Sequence, residues 1–228
     1  MQKAIFNIQN ETDFERCALQ VFKYQFQNNK VYRSFCDLLY IHPSDVKEVA
    51  QIPFLPIQFF KTHQVLSTNQ SVQETFTSSG TTGAQVSKHL VADLSWYETS
   101  YTRAFEHFYG SVKDYTVLGL LPNYLEREGS SLIYMVNDFI HKSNNPKSGF
   151  YLDTLSELTK TLIALDQKGE KVLLIGVTFA LLDLIESQTF SLKNTVIMET
   201  GGMKGRRKEM IREELHEILA AGFGVSKI

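Results

Sequence analysis

Three short apolar runs, each parted from the next by stretches of helical periodicity, govern what the second half of this chain can become. Thr116 to Leu121, Lys171 to Gly176 and Thr195 to Glu199 are rich in Val, Ile and Leu and too short for helices. Between them lie Ser130 to His141, Thr154 to Lys168 and Phe179 to Glu186, and Arg206 to Ala221 follows the last. Leu155, Leu158, Leu162 and Leu165 make one helical stripe; Met210, Ile211, Leu215, Ile218 and Leu219 make another. Strands spaced by helices of this length predict βαβ units, a mainly parallel sheet and an α/β fold. Ligands of such sheets sit beyond the carboxyl ends of the strands.

The first part of the chain reads differently. Phe14, Cys17, Ala18, Val21 and Phe22 form the stripe of an amphipathic helix, and a second helix is predicted over Val31 to Tyr40. Pro43-Ser44-Asp45 starts a turn, and the proline-interrupted stretch Ile52 to Lys61 is expected to be extended or irregular. Asp93 is placed to cap a helix through Phe108. Gly110 to Asp114 and His141 to Ser148 are polar loops, the second expected to be the most mobile. The expected organisation is a helical lead-in over residues 1–70 and an α/β core over 71–228.

Several function classes drop out on composition. A net charge of −2 leaves no basic footprint for nucleic acid. No run of 18 apolar residues occurs, so no membrane span is expected. The first residues have no secretory core behind them, and Cys17 and Cys36 fall on apolar stripes as buried thiols, so the cytoplasm is the expected compartment. The six histidines are scattered without ligand spacing, which argues against zinc.

Residues Phe76 to Gly83 read F-T-S-S-G-T-T-G, placing five hydroxyls and two glycines in seven positions from Thr77. Glycine allows positive φ and close approach of N–H groups, and successive N–H groups with Ser and Thr hydroxyls make a concave anion site. Such a loop suits phosphate oxygens, although the same composition also occurs in ordinary surface loops. It is not the Walker type, because G-x-x-x-x-G-K-[ST] is absent from the chain.

The run resembles the phosphate loop of the adenylate-forming enzymes, [ST]-S-G-[ST]-[ST]-G followed by a lysine, here Lys88. Ile52 to Lys61, Leu121-Pro122-Asn123-Tyr124-Leu125-Glu126-Arg127, Gly129 to Leu132 and Glu199-Thr200-Gly201-Gly202-Met203-Lys204-Gly205 follow an order similar to the acyl-protein synthetases. These are the fatty-acid-activating ligases of bacterial bioluminescence and their relatives, with phenylacetate–CoA ligases nearby. The resemblance implies ATP-dependent, Mg²⁺-assisted conversion of a fatty or other hydrophobic carboxylic acid to acyl-adenylate, then transfer to a protein or carrier thiol. Thr77, Ser78, Ser79, Gly80, Thr81, Thr82 and Gly83 would hold the β- and γ-phosphates, with Lys88 adding charge. Thr200, Gly201 and Gly202 would lie against the adenine and acyl pocket, and Tyr124 would face the acyl substrate. An acyl-acceptor protein or a reductase would be the partner.

Each assignment has a plainer counterpart. Lys88 also fits a solvated surface, Thr200 to Gly202 a tight strand-to-helix turn, and Tyr124 ordinary packing. Lys204, Arg206, Arg207 and Lys208 crowd an expected helix start, where the macrodipole disfavours cations. They form either a solvated basic face or an anion site. Relatives carry Y-G-x-T-E, whose glutamate binds Mg²⁺, soon after the segment resembling Gly222 to Ile228; a small C-terminal domain with the adenylating lysine comes later. Neither is in this sequence, so the catalytic residues stay unassigned and the chain is expected to be the N-terminal part of the enzyme. The luminous synthetases carry the acyl group on a cysteine in their C-terminal part, and neither Cys17 nor Cys36 matches it. The alternative is a non-catalytic acyl- or nucleotide-binding module that docks on a partner. A third reading makes the loop a coincidence in an unrelated α/β domain.

Overall fold

The computed structural model describes residues 2–78, 85–121, 129–201, 207 and 210–228. The chain divides into two compact units, residues 1–101 and 102–228.

The first unit is mostly helical. A short helix α1 (Gln2–Ile5) precedes α2 (Glu11–Asn28) and α3 (Lys30–Leu38). Asn10 opens α2 by accepting from the Asp13 N–H, and Asn29 both closes α2 and caps α3 by accepting from the Tyr32 N–H. One residue thus sets the break between two helices. Of the predicted stripe of α2, Cys17 and Phe22 are buried and Phe14 is exposed; Phe22 and the next turn's Phe26 meet Tyr32, Cys36 and Val46. Both cysteines are buried free thiols, as expected. Burial pushes the Tyr32 phenol and the Cys36 thiol above their ordinary pKa values.

Residues 43–45 form the expected turn, closed by Asp45 N–H to His42 C=O. The stretch after it is largely irregular, broken by a 3₁₀ turn at Val49–Gln51 and one helical turn, α4 (Phe59–Thr62). Strands β1 (Glu74–Thr77) and β2 (Lys88–Val91) then pair antiparallel with each other. Asp93 caps α5 (Leu94–Tyr109) as predicted, its Oδ1 accepting from the Ser95 N–H.

The second unit carries the parallel sheet. In chain order it holds β3 (Thr116–Leu120), α6 (Ser131–Ser143), β4 (Gly149–Phe150), α7 (Leu155–Gln167), β5 (Val172–Gly176), α8 (Thr178–Ser187), β6 (Thr195–Glu199) and α9 (Arg212–Phe223). The strand order is β4-β3-β5-β6, every pair parallel. Every residue of β3 and β5 is buried, because helices cover both faces, whereas β4 and β6 at the edges are half-buried. The α/β reading holds, with all three predicted strands and the helices between them in place.

Details differ from the expectations. Strand β4 was not anticipated; two residues carry no period. The loop before it is tied down: Asn145 donates to Thr116 Oγ1 at 2.8 Å, and Ser148 Oγ accepts from the Val117 N–H at 2.9 Å. Helix α9 begins at Arg212 rather than Arg206, so the basic cluster does not sit at its N-terminus.

Two buried contacts set the packing. Asp166, at the end of α7, accepts from the N–H groups of Lys193 and Asn194 and from Thr195 Oγ1, fixing the entry to β6. Gly222 lets α9 press on α8: an added Cβ would stand 2.7 Å from Ile185 Cβ. Asp166→Ala should cost about 2 kcal/mol by removing the charge-assisted hydrogen bonds that fix the entry to β6. Gly222→Ala would gain about 1 kcal/mol of helix propensity, but Ile185 Cβ is rooted to its backbone and cannot retreat. The clash wins, and a net loss of about 1–3 kcal/mol is expected. Urea unfolding of the two variants measures both values.

Candidate functional site

The hydroxyl-rich run sits on a hairpin. Alternation along β1 buries Phe76 and leaves Thr77 exposed, facing Lys88 across the strand pair. Beyond it the chain is closed by a two-serine clasp. The Ser78 N–H donates to the Ser87 carbonyl at 3.1 Å, and the Ser87 N–H donates to Ser78 Oγ at 3.0 Å. Gln85 steadies the returning arm by donating from Nε2 to the Lys61 carbonyl at 2.6 Å. The two strands are therefore held together at Ser78 and Ser87, just past their paired ends.

Thr77, Ser78 and Lys88 come together at that neck, all three exposed. Lys88 makes no ion pair with any described residue. Ser79, Gly80, Thr81, Thr82 and Gly83 lie outside the described residues, as do Tyr124 and Gly202. Strand β2, Ser87 and Gln85 were not anticipated as parts of this site. The returning Lys88–Val91 run is only four residues long and alternates too briefly to announce a strand.

The second candidate region is the carboxyl edge of the parallel sheet. Leu120, Gly176 and Glu199 are in register across β3, β5 and β6, so the chain leaves all three strands on one edge. Leu120 and Glu199 lie two strand spacings apart, about 10 Å. Thr200 donates from both N–H and Oγ1 to the Gly176 carbonyl, at 3.0 and 3.1 Å. Gly201 takes φ +78°, a left-handed conformation that glycine adopts without strain.

Glu199 organises this turn. Its Oε1 accepts from the Gly201 N–H at 2.6 Å and from the Thr178 hydroxyl at the start of α8. Its side chain is only 6% exposed, and Oε2 stands 3.8 Å from His216 Nε2 on α9. That nitrogen is buried and has no hydrogen-bond partner among the described residues. With one oxygen committed to the turn, Glu199 acts as a positioning group. A glutamate ending an apolar strand just before a glycine turn was the available sign, and it was read only as part of a block.

The basic cluster resolves into a structural role where it is described. Arg207 holds Asp183 and Glu186 of α8 together, with Nη1 and Nη2 at 2.6 and 2.7 Å from the two Glu186 oxygens. It is neither a free solvated cation nor an open anion site, because two carboxylates already neutralise it. Lys204, Arg206 and Lys208 lie outside the described residues.

The profile of the acyl-protein synthetase family, LuxE, matches residues 4–106. The matched segment takes in nearly all of the first unit, including the hairpin and the hydroxyl-rich run. This part of the chain is thus similar to an enzyme family that makes acyl–protein conjugates. No curated protein and no solved structure matches the chain. No helix among the described residues is long and apolar enough to cross a membrane.

The Arg207 clasp makes a pH prediction. The hydrogen bond from Arg207 is the main cause that holds the Glu186 carboxyl below the usual carboxylate range. A pKa lowered by folding adds stability that is complete above the unfolded value and fades as pH falls through the folded one. Arg207→Ala should therefore melt below the parent at neutral pH, and the gap should narrow as the pH drops through the acid range. Thermal melts at stepped pH check this; a constant gap contradicts it.

Proposed function

We propose that the chain takes part in activating a hydrophobic carboxylic acid with ATP, as the portion that grips the nucleotide. One observation supports this most. A run of five hydroxyls and two glycines begins at the closed neck of a hairpin, beside an exposed lysine, within the segment similar to acyl-protein synthetases.

The chemistry follows from the charges involved. A carboxylate oxygen attacks the α-phosphorus of ATP, the bond from phosphorus to the bridging oxygen breaks, and pyrophosphate leaves with the electron pair. A thiol then attacks the acyl carbon, and AMP departs. Most of the catalysis is positioning and neutralisation of the leaving group. Thr77, Ser78, Ser79, Gly80, Thr81, Thr82 and Gly83 would donate to the β- and γ-phosphates, and Lys88 would offset their charge. Thr200 and Gly201, on the turn Glu199 braces, would meet the adenine and acyl groups together with Gly202, and Tyr124 would meet the acyl substrate. Mg²⁺ would serve as counter-ion to the triphosphate. Among the described residues no group of three or more His, Cys, Asp or Glu is arranged to hold it. The hydroxyls and the lysine at the hairpin neck would suit the triphosphate. The acceptor would be a protein or carrier thiol, with an acyl-acceptor or reductase protein as partner, and the setting cytoplasmic.

At ATP ten times its Kd, binding adds about 1.4 kcal/mol, a rise in melting temperature of about 3–6 °C for a chain of this size. Thr81→Ala and Gly83→Val should each abolish that rise while leaving the ligand-free melt within a degree or two. A rise that persists in both variants would contradict the assignment. Fatty-acid-dependent exchange between ATP and pyrophosphate separates activation from simple binding.

A further inference from the structure

The carboxyl edge of the parallel sheet is held by a small network that crosses from one loop to the next. On one side lies Gly176 to Thr178, where β5 passes into α8; on the other lies Glu199 to Gly201, where β6 ends. The Thr200 N–H and hydroxyl both donate to the Gly176 carbonyl, and the Thr178 N–H donates to the Gly201 carbonyl at 3.3 Å. Glu199 Oε1 closes the circuit by accepting from the Gly201 N–H and the Thr178 hydroxyl. The Gly201 N–H is thus aimed by one carboxylate oxygen.

The other oxygen has no hydrogen bond among the described residues, and a buried charge is costly unless its remaining lone pairs find donors. What faces it is the ring of His216, one turn into α9. At 3.8 Å, Nε2 is inside ion-pairing reach of Oε2 and about 0.8 Å past ordinary hydrogen-bonding distance. That nitrogen is itself buried without a partner among the described residues, a condition folded proteins seldom leave unexplained. An oxygen short of a donor therefore meets a nitrogen short of an acceptor. A bare Nε2 would set its lone pair against the carboxylate, so the ring carries its proton on this nitrogen.

No other charge among the described residues competes for the pair. Asp183 and Glu186 of α8 hold Arg207, while Arg212, Glu213, Glu214 and Glu217 of α9 are exposed, and β5 carries no charged residue. Leu215 and Leu219, both buried, fix the ring's place on α9. The ring stands behind the carboxylate, and the carboxylate stands behind the turn.

We infer that His216 is a positioning residue. Its Nε2–H restrains Glu199 so that Oε1 stays on the Gly201 N–H and the Thr178 hydroxyl, and α9 thereby holds the turn in shape for a ligand. That the ligand is the nucleotide with its acyl group rests on the reading above; the restraint itself does not.

Amide hydrogen exchange at Gly201, followed by NMR on the ¹⁵N-labelled 228-residue chain without ligand, reads the restraint directly. His216→Phe keeps an aromatic ring and removes the donor, whereas His216→Gln keeps a donor on a side chain of similar reach. Exchange at Gly201 should be about tenfold faster in His216→Phe and within about threefold of the parent in His216→Gln. If His216→Phe does not fold, His216→Met, apolar and adaptable, takes its place. An unchanged rate in the apolar variant overturns the inference. So does an equal acceleration in both variants, which would make the ring's packing the cause rather than its donor. Melting the same proteins with ATP separates this inference from the reading it rests on. Faster exchange in the apolar variant alone, with no ATP effect in the parent, keeps the restraint and removes the nucleotide. ATP-dependent stabilisation of the parent with unchanged Gly201 exchange in the apolar variant does the reverse.

Discussion

Strand β5 is the constraint from which the second unit follows. Val172 to Gly176 has no polar side chain, and every residue of it is buried. Such a strand is stable only with a neighbour on each edge and a covering layer on each face. β3 and β6 supply the neighbours in matched register, and the crossover helices supply the layers. The same register brings Leu120, Gly176 and Glu199 level, so the chain leaves three strands at one edge. A turn there can be braced by groups from several elements at once, as Thr178, Gly176 and Gly201 brace the turn around Thr200.

Much of this was legible because burial leaves a periodic trace. The runs at 116–121, 171–176 and 195–199 and the leucine stripe of α7 have no competing interpretation, and Asp93 and the leucine spacing of α7 place helices to within a residue or two. What escaped notice carries no period. β4 is two residues long, β2 four, and α1 and α4 a single turn each. The late start of α9 is instructive. The helix was expected to begin at Arg206, with basic residues at its start, but Arg207 is held by Asp183 and Glu186, twenty or so residues earlier in sequence. Pairings of that range have no local signature.

The candidate site divides in the same manner. Composition and order singled out the hydroxyl-rich run, and chain topology put Thr77, Ser78 and Lys88 at one neck. A mainly apolar cleft of about 1020 Å³ in the first unit could not be read beforehand. Its residues come from α2, from the irregular stretch after Val49 and from β2, and each looks like ordinary core until the walls are assembled. Glu199 is a similar case: its partners, Thr178 and His216, lie on two different helices.

The paired serines at the hairpin neck have an entropic consequence. Bringing the two ends of a flexible segment together costs free energy that grows only with the logarithm of its length, about 0.6 kcal/mol per doubling. Ser78 and Ser87 meet that cost when the polypeptide folds. That closure is complete before any ligand arrives, so a ligand bound beside Thr77, Ser78 and Lys88 bears none of it.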